Sequence, residues 1–328
     1  MVSIKDVATE AGVAISTVSK VLNNYPNISK STKEKVNAAI NRLGFVPNAV
    51  AQALSSKSTG RIAILVNQSR ASSIDEISIQ YLSGAILKAK ELKLDAITLF
   101  FSMLQDKTTE EIITYLKSQS VEALAIFGLS KGDEHIIRLI EREAFKVVLS
   151  DSPFVNSKTS SVHVNQYEAQ MEVAKELIQM NTPKSMLYLS GRADSFVSEE
   201  REKAIKALCR KEKLKLKVEC ADFSEKKARS IVLKYAEDYD CVVCASDLCA
   251  IGAMRALIDM DIFRPVCGFD GLKLMGYAGK QMMTVKQDFV KIGSTAIEEC
   301  LRLLSGEEGR AVIIPYEIVR LEYLDVIC

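Results

Sequence analysis

The sequence predicts an α/β protein: a small three-helix head of the helix-turn-helix kind, then a two-lobed body built on doubly wound parallel sheets. Three observations predict this. The first 60 residues carry dense, short helical patterns and an excess of positive charge. From residue 61 onward, apolar runs alternate with amphipathic helical stretches, the pattern of parallel βα units. The apolar runs fall into two successive series, RIAILV, LDAITLFF, VEALAIF and FKVVL in one, SMLYL, LKLKVE, DCVVC and VCGF in the other. Helical patterns over 108–119, 133–143, 199–212 and 247–260 lie between them. The predicted divisions are a head at 1–46, a linker at 47–60 and a body at 61–328.

Composition narrows the function classes. Hydrophobic residues make up 48% and charged residues 26% of the 328, ordinary values for a globular chain. No run approaches the roughly 18 apolar residues of a membrane span, so no membrane partner is expected. MVSIKDVATEAG lacks the apolar core of an export signal, and the expected location is the cytoplasm. The eight cysteines then read as reduced thiols. Cys241 and Cys244 have metal-pair spacing, but no second pair accompanies them, and His135 and His163 are the chain's two histidines. A buried strand explains CVVC better than zinc. No metal or cofactor is expected. No dinucleotide or phosphate-loop fingerprint occurs, and no nucleophile or carboxylate pair falls in a catalytic motif, so no enzyme activity is expected.

The head is justified element by element. Its charges are Lys5, Lys20, Lys30, Lys33, Lys35, Arg42 and Lys57 against Asp6, Glu10 and Glu34, while the rest of the chain is faintly acidic. Such asymmetry suits a nucleic-acid-binding appendage. A first helix carries Val7, Ala8 and Ala11. Gly12 can take the left-handed conformation that a tight turn between helices demands. A second helix then carries Val18, Val21 and Leu22. Ala8, Gly12 and Val18 have the spacing of a DNA-binding helix-turn-helix. Ser31-Thr32-Lys33-Glu34 predicts a capping box opening a third helix, with Val36, Ile40 and Leu43 inward and a stop at Gly44.

In the body, polar groups gather at strand ends, where doubly wound sheets bind ligands. Asp151 ends FKVVLSD, Asp247 follows CVVCAS, and Asp270 ends VCGFD. Arg201 opens a helix, and Phe223 follows LKLKVECAD. Carboxylates with an arginine suit a hydroxyl-rich ligand, and an aromatic face suits a sugar ring.

IKDVATEAGVAISTVSKVLNN and PNAVAQALSSKSTGRIAILV resemble the LacI/GalR family of bacterial transcription regulators. The resemblance extends through LSDSP, SEEREKAIKAL, CASDLCAIGAMRAL, VCGFDG and MTVKQDFVKIG. It implies a periplasmic-binding-protein-like body, and it places Ile15, Ser16 and Lys20 at base-reading positions in the major groove. Thr17, Ser19 and Asn23 would hold phosphates and set register. Residues 48–56 would form a hinge helix only when paired with a dimer mate, because so short a segment does not hold a helix alone. In it Ala51 would allow close approach, and Leu54 would wedge into the minor groove. The resemblance places Asp151, Arg201, Phe223, Ser246 and Asp270 at effector-contact positions.

Two departures stand out. The first effector loop, Asn67 to Ser78, is longer than the family's and has no aromatic residue. The family's Asp-Asn before Tyr-Glu is Asn165-Gln166 before Tyr167-Glu168. The expected function is therefore sequence-specific DNA binding as a homodimeric repressor on a palindromic operator, controlled by a small effector of the carbohydrate type. Two alternatives are a soluble sugar-binding receptor and a regulator controlled by a protein co-regulator.

Overall fold

Local capping sets the head. In the computed structural model, which describes residues 2–22, 25, 27–45, 60–67 and 76–322, α1 runs Ile4–Ala11. The Ser3 hydroxyl accepts from the Asp6 amide, and the Asp6 carboxylate accepts from the Ser3 amide at 2.8 Å, a reciprocal cap on two otherwise unpaired N–H groups. Gly12 ends α1 at φ 64°, and α2 follows over Ile15–Leu22. α3 spans Lys30–Leu43. Val7, Ala8, Val18, Val21, Val36 and Ala39 form the head's core, so Ala8 and the two valines of α2 meet at the crossing as expected.

One expectation for the head fails. The cap of α3 is Ser29, whose hydroxyl accepts from the Thr32 amide at 3.2 Å, not Ser31. Ser31 lies inside the helix and is exposed. Ile40 and Leu43 are only half-buried, and Ala39 takes the inward place with Val36. The chain divides into two compact units, Met1–Thr59 and Gly60–Cys328. The expected hinge helix at 48–56, with Ala51 and Leu54, and also Asn23, lie outside the described residues.

The body has two six-stranded sheets. Lobe 1 begins with β1 (Arg61–Val66), α4 (Glu76–Glu91), β2 (Ala96–Phe100), α5 (Thr109–Ser118) and β3 (Val121–Phe127). It continues with α6 (Glu134–Glu141), β4 (Lys146–Ser150) and β5 (Thr159–His163). Lobe 2 holds α7 (Gln166–Asn181), β6 (Ser185–Ser190), α8 (Phe196–Glu212), β7 (Lys215–Cys220) and α9 (Glu225–Tyr235). It is completed by β8 (Cys241–Cys244), α10 (Asp247–Asp259), β9 (Val266–Cys267) and β10 (Met282–Gln287).

The two lobes are not two simple halves of the sequence. After β10, α11 (Phe289–Leu304) and β11 (Ala311–Ile313) return to lobe 1, where β11 pairs in parallel with β5. β12 (Tyr316–Leu321) then returns to lobe 2, antiparallel to β10. The strand orders are β11-β5-β4-β3-β1-β2 and β12-β10-β9-β8-β6-β7. The chain thus passes between lobes near 163–166, 287–289 and 313–316.

Burial explains the extra strand β5, whose TSSVH pattern does not read as apolar. Its polar side chains are buried with partners. Ser160 donates to Glu299 of α11 at 3.1 Å, and Ser161 donates to the Ser152 carbonyl at 2.6 Å. Glu299 also accepts from Arg302 and Arg310 at 2.9 and 2.6 Å, so its buried charge is paired. Cys241 and Cys244 are buried in β8, and both are free thiols.

α11 docks on α4 through two glycines. A Cβ at Gly84 would strike the Val290 carbonyl oxygen, and one at Gly293 would strike that of Tyr81. Because both obstacles are backbone, neither can swing aside. Gly84→Ala and Gly293→Ala should each destabilise the body by about 1–3 kcal/mol, the usual cost of overpacking. Urea unfolding checks this: each variant should show a lower midpoint at unchanged slope.

Candidate functional site

The head offers one candidate surface. Helical periodicity turns Val18 and Val21 of α2 into the core and leaves Ile15, Ser16 and Lys20 exposed. Ile15, at 47% exposure, is a large apolar side chain facing outward from so small a head. Thr17 and Ser19 are half-buried on the flanks.

The body's candidate site lies where strand ends and crossings meet. Asp151 follows β4 in lobe 1, and its backbone is left-handed, with φ 51°. Asp270 follows β9 in lobe 2 at φ 128°, tied to the next strand by its amide to the Val285 carbonyl. Phe223 and its neighbour Asp222 also have positive φ. Non-glycine residues held in such conformations cost free energy, and they cluster at functional sites.

A continuous polar network joins the two lobes. Tyr81 of α4 donates to Asp151 Oδ2 at 2.8 Å, and Gln166 Nε2 donates to Asp151 Oδ1 at 2.8 Å. Arg201 of α8 donates from Nε to Gln166 Oε1 at 2.9 Å and from Nη1 to the Ala245 carbonyl. Its guanidinium lies 3.6 Å from the Phe269 ring centroid and 3.7 Å from Asp270. Gln287, at the end of β10, donates to Asp270 at 3.1 Å. Arg201 and Asp270 are both buried.

Asp151, Arg201 and Asp270 therefore come together. The other two expected contacts are differently engaged. Ser246 is buried, and its hydroxyl caps α10 by accepting from the Cys249 amide. Phe223 is half-buried, with its ring against Gly191 and beside Ser198. Among the described residues, Ser198 Oγ and Gln287 Oε1 are two of the buried side-chain atoms that have no hydrogen-bond partner.

Tyr81, Gln166 and Gln287 belong to the network although strand-end reasoning does not single them out. Gln166 and Gln287 sit at two crossings, a position that emerges only when the lobes are assembled. Asp247 is a structural anchor instead, accepting from Thr284 at 2.6 Å and from the Leu272 amide at 2.7 Å.

At the mouth the lobes also touch. The Lys131 amide donates to the Asp194 carbonyl at 2.8 Å, and its ammonium pairs with Glu199 at 2.6 Å. Phe196 of lobe 2 meets Phe154 of lobe 1 edge-on at 5.5 Å.

Two open-sheet lobes joined by three crossings, with a polar cleft at their strand ends, define a two-lobed binding protein, and the helix-turn-helix head makes it a DNA-binding regulator. The head matches the family of bacterial regulatory proteins of the lacI type over residues 3–48, and the body matches the periplasmic binding protein domain over residues 71–308. The chain belongs to the lacI family of transcriptional regulators.

It is 26% identical to catabolite control protein A of Staphylococcus aureus strain MRSA252, over 97% of both chains. It is 29% identical to the transcriptional regulator RegA of Clostridium saccharobutylicum, over 93% of both. A lac repressor dimer bound to operator and the anti-inducer ONPF shares the fold, with TM-score 0.81, 23% identity and 97% of each chain covered. So does the regulator CelR in complex with cellobiose, with TM-score 0.70 and 20% identity over 98% of this chain and 99% of that one. Among the described residues no helix is long and apolar enough to cross a membrane.

Burial sets the site's response to pH. It lifts the Asp270 carboxyl to about 8 despite the pull of Arg201, and Asp247 to about 6 despite the bonds from Thr284 and Leu272. In the folded chain these carboxyls keep protons that an unfolded chain releases near pH 4. The folded state then binds more protons, so these groups' contribution to stability declines as pH rises from about 4 to 8 and levels off above. Asp270→Asn should flatten the upper part of that decline. The check is the urea midpoint at pH 5.5 and 8.5, and an equal drop in both proteins would contradict it.

Proposed function

We propose that this protein is a cytoplasmic, homodimeric, non-enzymatic repressor. It reads a palindromic operator with α2 and answers to a small polyhydroxylated effector, a carbohydrate, held in the cleft between the body's lobes. The observation that carries the DNA half is the division of α2. Val18 and Val21 are spent on the core, which leaves Ile15, Ser16 and Lys20 facing solvent together. Isoleucine can meet a thymine methyl, serine can exchange hydrogen bonds with a base edge, and lysine can reach guanine O6 and N7. Thr17, Ser19 and Asn23 are assigned to phosphates, and Ala51 and Leu54 to the minor groove.

The dimer follows from α4. Ile79, Ser83, Ile86, Leu87 and Lys90 share one exposed face, and Ile79 and Leu87 are 65% and 60% exposed. An apolar stripe of this kind marks an association surface. A two-fold pair of heads matches a palindrome with half-sites about one helical turn apart.

The effector assignment rests on Asp151, Arg201 and Asp270, with Phe223 at the rim and Ser246 nearby. Carboxylates and a guanidinium from both lobes can share one hydroxyl-rich ligand. Such a ligand acts through its differential affinity for two lobe arrangements. The head's chain joins the body at residue 60, so movement of lobe 1 carries that junction. CelR is described with cellobiose and the lac repressor with ONPF, which supports a sugar-like ligand for this cleft.

Operator selection from random duplexes, followed by titration, tests the DNA reading. Lys20→Ala should cost about 1–3 kcal/mol on the selected site and relax preference at one base position in each half-site. A uniform loss on all sequences would instead make Lys20 a phosphate contact. Leu87→Glu should give a monomer in sedimentation and lose operator binding, with the fold intact by circular dichroism.

A further inference from the structure

The cleft's polar groups are already occupied, and the occupant belongs to the chain. Asp151 and Arg201 face each other from opposite lobes, yet no direct bond joins them among the described residues. Gln166 stands between them. Its amide nitrogen donates to Asp151 at 2.8 Å, and its amide oxygen accepts from Arg201 at 2.9 Å. A ligand bridging the same pair must do the same two things: offer a donor to the carboxylate and an acceptor to the guanidinium. A pair of neighbouring hydroxyls does this, and so does a primary amide.

Three further observations fit. The second oxygen of Asp151 is taken by Tyr81, and Arg201's Nη1 by the Ala245 carbonyl. Gln166 is buried, and it is the first residue of α7, directly after a crossing, so its backbone is anchored between the lobes. The lobes also touch through the Lys131 amide, which donates to the Asp194 carbonyl, and through the Lys131–Glu199 ion pair.

We propose that Gln166 is a built-in occupant of the cleft, a specificity-determining side chain that takes the place of a ligand's hydroxyls and bridges the lobes without a ligand. This rests on the reading of the cleft as the effector site. An effector must then displace the Gln166 amide and match both of its hydrogen bonds. Ligands able to offer only a donor or only an acceptor lose that competition, because either Asp151 or Arg201 would forfeit the hydrogen bond that Gln166 now makes to it. The departure from the family pattern at Asn165-Gln166 thus has a physical role. Asparagine at 166, shorter by one methylene, would fall short of one of the two partners.

The test begins with the ligand-free, full-length protein. Gln166→Met keeps the volume and removes both hydrogen bonds, and Gln166→Asn keeps the amide and shortens its reach. The reporter is hydrogen exchange at the Lys131 amide, whose acceptor lies on the other lobe. Exchange there should quicken at least tenfold in both variants, with amides of β3 unchanged. Unaltered exchange in both would overturn the proposal. If Gln166→Met fails to fold, Gln166→Asn alone decides.

Calorimetric titration with cellobiose, trehalose and D-glucose forms the second arm. Any of these that binds the natural protein should bind Gln166→Met at least tenfold more tightly and restore protection at Lys131. Equal affinity for the two proteins would overturn the competition. A sugar bound equally well by the natural protein and by Asp270→Ala would overturn the effector reading of the cleft itself. The ligand-free exchange experiment tests the bridging role of Gln166 independently of any sugar.

Discussion

A buried guanidinium organises the body. Arg201 is almost wholly removed from water, and an unpaired charge there would cost several kcal/mol. The structure supplies the Gln166 amide oxygen, the Ala245 carbonyl, the Phe269 ring face and the Asp270 carboxyl group. These come from three separate segments. Gln166 opens α7, Ala245 follows β8, and Phe269 and Asp270 follow β9. Satisfying one side chain therefore draws the strand ends of lobe 2 and a crossing into a single arrangement. Asp151 and Tyr81 of lobe 1 join it through Gln166.

Strain and burial at this point have a common cause. Asp151, Phe223 and Asp270 all adopt positive φ, which an ordinary strand-to-helix turn does not need. The raised Asp270 carboxyl belongs to the same picture, since burial among these elements disfavours its charged form.

The head solves a different problem. Three short helices enclose a core of few residues, so every inward position matters and the outward face is left free for contact. α2 has two turns: its valines hold the fold, and its exposed residues remain available. The cap on α1 and the left-handed turn at Gly12 hold α1 and α2 at the angle this division requires. Lobe 1 is built on the opposite rule, with a close glycine-lined crossing of α4 and α11 buried deeply and an apolar stripe of α4 left outward.

Much of this was legible in the residues. Gly12 and Gly44 end their helices in left-handed conformations, Ala8, Val18 and Val21 meet, and CVVC is a buried strand. Asp151 and Asp270 converge, because parallel strands deliver their carboxyl ends to one edge of each sheet, and Arg201 reaches this point from within α8. The capping-box pattern put the start of α3 at Ser31, but Ser29 caps it, because the helix begins before the apolar pattern does. β5 went unseen because its serines are buried against Glu299 and a backbone carbonyl, and no period in the sequence reveals such distant partners. The return of α11 and β11 to lobe 1, the capping role of Ser246 and the bridging role of Gln166 were hidden for a similar reason. By itself the sequence determined the head, the βα alternation and the residue types that can hold a polar ligand, because these depend on neighbours a few positions away. Only the tertiary structure decided which lobe each late element joins and which side chain stands between Asp151 and Arg201, because those outcomes depend on contacts between residues far apart along the chain.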